Sequence, residues 1–208
     1  NGRAIMGNVA YAARAANLQK LVPDAQQALL VGFGTGNFAR SLLRRRWLTH
    51  LDIVEIDAWQ ARAAPLFQND AVLTDPQVHL TIDDGMHLLG TTTRTWDLIA
   101  LDAWGPEACP LLYTTDLHAR AMAHLSERGV FWAKLSQLQP DAERALIDAA
   151  RCTWPHAWLT PAPDVGLAGS RSPPALAPGS VALPPADASC RPHTHLHPVR
   201  VRLAEHAR

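Results

Sequence analysis

The chain predicts an α/β fold built on a mostly parallel sheet with helices on both faces. Three features predict it: short apolar runs alternate with longer segments of helical pattern, a glycine-rich turn follows the first run, and acidic residues close the later ones. Residues 1–27 hold a helix over 9–21 that precedes the sheet. "ALLVGF" at 28–33 is the first strand, and a helix follows from Asn37 to Arg46. "LDIVEID" at 51–57 is the second strand, followed by the helical "AWQARAAPLFQ". "VHLTIDD" at 78–84 and "WDLIALD" at 96–102 are the third and fourth. A helix over "DLHARAMAHLSE" leads to the fifth strand, "GVFWAKL" at 129–135. "DAERALIDAARCT" is a helix capped by Asp141 after Pro140, and "AWLTPA" is a sixth strand.

At 208 residues the chain suits one principal domain. Six of the sixteen prolines precede residue 155 and ten lie from Pro155 onward, so the text changes character there. The expected division is an N-terminal helical segment over 1–27, a sheet-bearing domain over 28–169 and a proline-rich, loop-like tail over 170–208. Lysine and arginine number 19, as do aspartate and glutamate, so no net field draws the chain to nucleic acid or an anionic membrane. Neither is expected as a partner. No apolar stretch reaches the ~18 residues of a spanning helix, and no basic segment leads into an apolar one at the start, so neither anchor nor signal peptide is expected. The chain opens on Asn1 rather than methionine, as a fragment of a longer protein would. Cys109, Cys152 and Cys190 are odd in number and lack CxxC spacing. They argue against a disulfide framework and a structural zinc, and fit the reducing cytoplasm.

The turn after the first strand carries Gly32, Gly34 and Gly36, a GxGxG pattern with Thr35 between the last two. Such a turn lets the backbone approach a ligand while the next helix offers free N–H groups. A dinucleotide and an adenosyl sulfonium compete for it, and a plain turn is the alternative to both. The dinucleotide fingerprint wants a glycine at the sixth position, where this chain has Asn37. The second strand ends "VEID", which puts Glu55 23 residues after Gly32 and Asp57 two further on. A carboxylate at Glu55 can accept both ribose hydroxyls. The third strand ends "IDDG", where Asp83 or Asp84 can accept from an adenine amino group, or where Asp84-Gly85 is a turn and nothing more. The fourth ends "ALDAW", bringing Asp102 to the same edge with Trp104 close by. That many carboxylates suit a cationic ligand such as a sulfonium or an amine and would repel a pyrophosphate. Trp104 is a candidate to pack on the sulfonium, or else a loop tryptophan buried for packing.

The runs "LLVGFGTG", "VEID", "DPQVHLTIDDG", "WDLIALDA" and "YTTDLHARAMAHLSERGVFW", in this order, resemble the spermidine synthase family over roughly residues 9–135. The resemblance implies a Rossmann-like class I methyltransferase fold over the nucleotide-binding domain, 28–169. It implies decarboxylated S-adenosylmethionine as the group donor, a small-molecule amine as acceptor, no metal, and a homodimer. By the same resemblance Glu55 holds the ribose, Asp84 the adenine, with Gly85 beside it in the cofactor site, and Asp102 is the base that takes a proton from the attacking amine. Tyr11 stands at the distance of the family's catalytic tyrosine, and residues 1–27 correspond to its N-terminal gate. Gly105 stands where the family has a second amine-binding aspartate, Thr35 replaces an aspartate of the turn, and no acid precedes Asp24. Those departures leave two other expectations open: a methyltransferase using S-adenosylmethionine, and a non-catalytic nucleotide-binding or interaction module.

Three further features read more plainly. Arg40, Arg44, Arg45 and Arg46 complement a helix C-terminus and face water, with phosphate binding as the alternative. His193, His195 and His197 could share one side of an extended segment and hold a metal, but their proline-rich setting supplies no acidic or cysteine ligand. Cys109 has no histidine at motif spacing to activate it.

Overall fold

The computed structural model describes residues 2–103, 109–135, 138–161 and 165–185. The expectations placed on Trp104, Gly105, Cys190 and His193, His195 and His197 lie outside the described residues.

In chain order the elements are α1 (Gly2–Leu21), β1 (Gln27–Val31), α2 (Asn37–Arg44), β2 (His50–Glu55), α3 (Ala58–Arg62), α4 (Asp70–Leu73), β3 (Val78–Ile82), α5 (Gly85–Thr91), β4 (Trp96–Leu101), α6 (Thr115–Ala123), β5 (Leu125–Lys134), α7 (Pro140–Thr153), β6 (His156–Leu159), β7 (Gly166–Ser170) and β8 (Val181–Ala182). The strands form one sheet in the order β3-β2-β1-β4-β5-β7-β6-β8. The first five run parallel. β7 is antiparallel to both β5 and β6, and β8 is antiparallel to β6.

Successive strand side chains point to opposite faces, so each central strand feeds two cores. Ala28 and Leu30 of β1, Leu98 and Ala100 of β4, and Val130 and Trp132 of β5 pack beneath α1 and α2. The alternate residues, Leu29 and Val31, Ile99 and Leu101, Phe131 and Ala133, pack beneath α5, α6 and α7. The amino ends of the strands are clamped by Asp97, whose carboxylate accepts from the N–H groups of Gln26 and Gln27 and from Ser126 Oγ. The opposite, carboxyl edge is left to loops.

The structure departs from the sequence expectations at several places, among them the helix expected over "AWQARAAPLFQ", which is α3 followed by a separate 3-10 turn over Ala64–Phe67. The helix expected through Glu127 ends at Ala123, and β5 begins at Leu125, because Leu125 is buried in the sheet opposite Trp96. Asp141 does not cap α7; Gln139 precedes Pro140 at the first helical position, and Asp141 and Glu143 complement the positive end of the helix from its first turn. α4, α5, β7 and β8 were not expected at all, and β8 carries part of the 170–208 stretch onto the sheet. Cys152 is disulfide-bonded, contrary to the reading that the cysteines argue against disulfides and fit a reducing compartment.

In the second core His118 is fully buried, with its Nδ1 accepting from Trp154 Nε1 at 2.7 Å and its ring edge-on to Phe131 at 5.0 Å between centroids. Burial pushes its imidazole down to about 3. The folded state thus keeps it neutral while the unfolded chain takes up a proton near the ordinary value of 6.5. Its contribution is intact above that pH and is lost as the pH falls towards 3, at up to ~1.4 kcal/mol per pH unit. Urea midpoints measured from pH 7 to pH 4 should fall less steeply for His118→Gln than for the parent chain. Equal slopes would remove His118 as the titrating group.

Candidate functional site

The carboxyl ends of β1, β2, β3 and β4 lie side by side, and each continues into a loop that carries chemistry. After β1 the chain turns through Gly32, Gly34 and Gly36 with φ of 97°, 52° and 78°. A left-handed backbone costs an L side chain roughly 1–2 kcal/mol, which is why glycine stands there. Gly32 N donates to Val54 O at 2.8 Å, and Asp102 N donates to Val31 O at 3.0 Å, stitching the turn to both neighbouring strands. A Cβ on Gly32 would lie 2.9 Å from the Asp102 carbonyl oxygen. Buried Asn69 holds the far side of the turn, donating to the Thr35 carbonyl and to Asn37 Oδ1. Thr35 Oγ1 accepts from Asn37 Nδ2 at 2.9 Å.

Glu55, at the end of β2, is 7% exposed. Its Oε2 accepts from the N–H groups of Phe33 and Gly34 at 2.9 and 3.1 Å, and its Oε1 from Asp57 N at 2.9 Å. One carboxylate therefore shapes the glycine turn and the start of the next loop together. Asp57 caps α3 by accepting from Trp59 N. After β3, Asp83 accepts from His87 Nδ1 at 2.7 Å and from Asp84 N. The His87 contact is the main reason its carboxyl is held below the usual range. Asp84 caps α5 through one oxygen, Oδ1, which accepts from Met86 N and His87 N. Gly85 packs its α-carbon against Val31, so α5 starts directly over β1. Cys109 lies near this group; burial, then the charges of Glu55 and Asp84, raise its thiol, which keeps it a poor nucleophile.

At the end of β4, Asp102 Oδ1 meets two cations: Arg14 Nη1 of α1 at 3.0 Å and Lys134 Nζ of β5 at 2.9 Å. The side chains are 9%, 5% and 16% exposed. The Arg14 guanidinium is also enclosed by the rings of Tyr11, Phe38 and Trp132, with its Cζ 5.0 to 5.2 Å from each centroid. Tyr11 thus comes to the neighbourhood of Asp102 through Arg14.

The structure brings Gly32, Gly34, Gly36, Glu55, Asp84 and Asp102 to one edge. Arg14, Lys134 and Asn69 were missed from the sequence. Arg14 sits beside the apolar stripe Tyr11, Ala15, Leu18 and Val22 at helical spacing, and Lys134 interrupts the apolar run "VFWAKL". A lone cation in an apolar pattern is the signal that could have found both. Arg44, Arg45 and Arg46 face solvent as expected. Among the described residues no group of three or more histidine, cysteine, aspartate or glutamate side chains could hold a metal, and no helix is long and apolar enough to cross a membrane.

A family model described as the spermine/spermidine synthase domain matches residues 13–150. The polyamine aminopropyltransferase of Alkaliphilus oremlandii is 29% identical over 113 residues, 52% of this chain and 39% of that protein. That of Klebsiella pneumoniae is 30% identical over 115 residues, 53% of this chain and 40% of that protein. The chain spans about two fifths of the length of the curated relatives it matches. Among solved structures, a spermidine synthase in complex with the transition state analogue AdoDATO superposes with a TM-score of 0.63 at 20% identity, over 73% of this chain and 57% of that one. A probable spermidine synthase from Corynebacterium glutamicum does so with a TM-score of 0.62 at 18% identity, over 81% and 64%. At such identities the likeness shows the fold, the Rossmann-like class I methyltransferase fold expected from the sequence.

Proposed function

Because the chain belongs to the spermine/spermidine synthase domain family, we propose that it binds decarboxylated S-adenosylmethionine at the carboxyl edge of its sheet and passes the aminopropyl group to a small amine. The observation that carries this reading is the cradle formed by the Gly32–Gly36 turn with Glu55 and Asp84 on the same edge. The residues fit an adenosyl group. Glu55 Oε1 accepts a single N–H and keeps a lone pair for a ribose hydroxyl. Asp84 spends only Oδ1 on its helix cap, and Oδ2 has no partner among the described residues to compete with an adenine amino group. Ile56 follows Glu55 with 64% of its surface exposed, an apolar face for the purine.

When bound, the donor supplies a sulfonium whose aminopropyl carbon is open to in-line attack, with a neutral sulfide leaving. This chain's part is to align the amine and take its proton. Asp102 is the group proposed for that proton. Its charge is already met by Arg14 and Lys134, so two cations stand where a polyamine's ammonium groups would dock. An acceptor bearing a single amine therefore suits the site better than a polycation. The same pairing favours a second reading, a nucleotide-binding module without transfer activity.

The test is to incubate purified protein with the decarboxylated donor and a panel of mono-, di- and polyamines, and to follow methylthioadenosine and aminopropylated amines by mass spectrometry. Products formed by the parent chain and absent from an Asp102→Asn variant that circular dichroism shows to be folded establish the transferase and identify its acceptor. Nucleotide binding without any product supports the module, and S-adenosylhomocysteine formed from S-adenosylmethionine would replace both with a methyltransferase.

A further inference from the structure

β4 and β5 run parallel with Leu101 opposite Ala133, so the next residues along, Asp102 and Lys134, come to one level of the carboxyl edge. Ala133 packs into the second core, and alternation turns Lys134 to the other face, under α1, where Asp102 also meets Arg14. There Lys134 Nζ stands 2.9 Å from Asp102 Oδ1, its side chain 16% exposed. Arg14 reaches the same oxygen, but its guanidinium is held among the rings of Tyr11, Phe38 and Trp132 and belongs to the wall. Lys134 is a cation of another kind, a compact charge on a flexible four-carbon stem, carried by the last residue of β5. Transfer requires the attacking nitrogen to come within hydrogen-bond distance of an Asp102 oxygen. Both cations are on Oδ1, so the nitrogen's proton falls to Oδ2. The acceptor thus approaches a carboxylate that already carries the Lys134 ammonium.

We propose that Lys134 selects the acceptor by charge, admitting an amine whose far end is uncharged and turning away one that carries a second ammonium a few carbons from the first. This rests on the transfer reading above and adds to it the side chain that decides between amines. In the step itself the neutral amine nitrogen bonds to the aminopropyl carbon, the C–S bond breaks with its electron pair left on sulfur, and the nitrogen's proton passes to Asp102 Oδ2. Lys134 tolerates that nitrogen, which is uncharged when it attacks. A second amine four carbons away keeps its proton at neutral pH and is tied within reach of the Lys134 charge. Two like charges within about 10 Å, at the effective dielectric of about 20 found near a protein surface, repel by enough to change an affinity or a rate about tenfold.

The probes are pentylamine and 1,4-diaminobutane, chains of equal length that differ only at the far end, methyl against ammonium. The full chain, Lys134→Met and Lys134→Arg, each checked for native folding by circular dichroism, are supplied with the decarboxylated donor, and kcat/KM for each amine is read from the methylthioadenosine released. The parent chain should favour pentylamine. Lys134→Met, which keeps the reach of the side chain and removes its charge, should raise the ratio of diaminobutane to pentylamine about tenfold. Lys134→Arg should keep the parent's ratio. A merely structural role would lower both amines alike and leave the ratio unmoved.

Calorimetric titration of the two amines in the presence of methylthioadenosine reads the same ratio as affinities, without turnover. Affinities that shift in Lys134→Met while no protein transfers anything would remove the transferase reading and leave Lys134 as the selector of the bound amine. The proposal is overturned if the parent chain prefers diaminobutane, or if Lys134→Met keeps the parent's ratio. It is also overturned if Lys134→Arg shifts the ratio as Lys134→Met does, or if neither amine binds any of the three proteins.

Discussion

Asp102→Asn will destabilise the fold by about 3 kcal/mol, in addition to any loss of turnover. A carboxylate kept only to accept a proton is dispensable for folding, and its removal from a crevice is often neutral. Here the amide would withdraw the charge that both Arg14 and Lys134, 5% and 16% exposed, meet at Asp102. Removing one partner of a buried ionic group costs several kcal/mol because the remaining charge is stranded. Arg14→Met should cost less than Asp102→Asn, since it leaves the neutral pair of Asp102 and Lys134. Adding Lys134→Gln to Asp102→Asn should restore part of the loss by removing the second stranded cation. Urea denaturation of the four proteins checks the order. If Asp102→Asn is as stable as the parent chain, the three side chains are not coupled in solution. In the transfer assay the same substitution should lower the rate about 10²- to 10⁴-fold, the usual worth of a positioned base.

Gly32→Ala should weaken adenosyl-nucleotide binding by roughly 100-fold, the scale expected when a site is displaced by about an ångström. Its φ of 97° is unfavourable for alanine, and the new methyl would lie 2.9 Å from the Asp102 carbonyl oxygen, part of the backbone and unable to swing aside. The turn must move away from β4, and with it the Phe33 and Gly34 N–H groups that meet Glu55. Gly34→Ala is the matched control. Its φ is 52°, inside the left-handed well, and no heavy atom stands within 4 Å of the added carbon. It should cost about 1 kcal/mol of stability and less than tenfold in affinity. Calorimetric titration with the decarboxylated donor separates them. Equal affinities for the two variants would show that close approach at Gly32 is not what shapes the cradle.

The parallel half of the sheet was legible because its strands are apolar runs ended by glycine or acid, which is how Glu55, Asp84 and Asp102 could be placed on one edge before any coordinates. The rest was hidden for identifiable reasons. β7 reads "GLAGS", a poor strand by propensity, yet its glycines are what the fold needs: a Cβ on Gly166 or Gly169 would strike the indoles of Trp132 or Trp154, which lie flat on the strand. α5 spans only Gly85–Thr91, too short for a helical period to show. The turn reading of Asp84-Gly85 and the ligand reading were not rivals, since Asp84 caps a helix with one oxygen and leaves the other over. The ion pairs of Asp102 were out of reach for a different reason. They join residues 14, 102 and 134, and no local pattern announces a partner 88 positions away.

The position of β7 also governs the order in which the sheet can be completed. β6 is synthesised before β7, yet in the sheet it pairs only with β7 and β8 and has no ladder with β5. A growing chain that has reached Leu159 thus holds a finished β6 with nothing to pair to, while the outer edge of β5 waits unpaired beside it. The segment Gly166–Ser170 closes both gaps, pairing as a hairpin with β6 on one side and with β5 on the other. Assembly at this end therefore adds two strands together, where the parallel half adds one at a time. Until it occurs, the edge of β5 lies open to pairing with another chain.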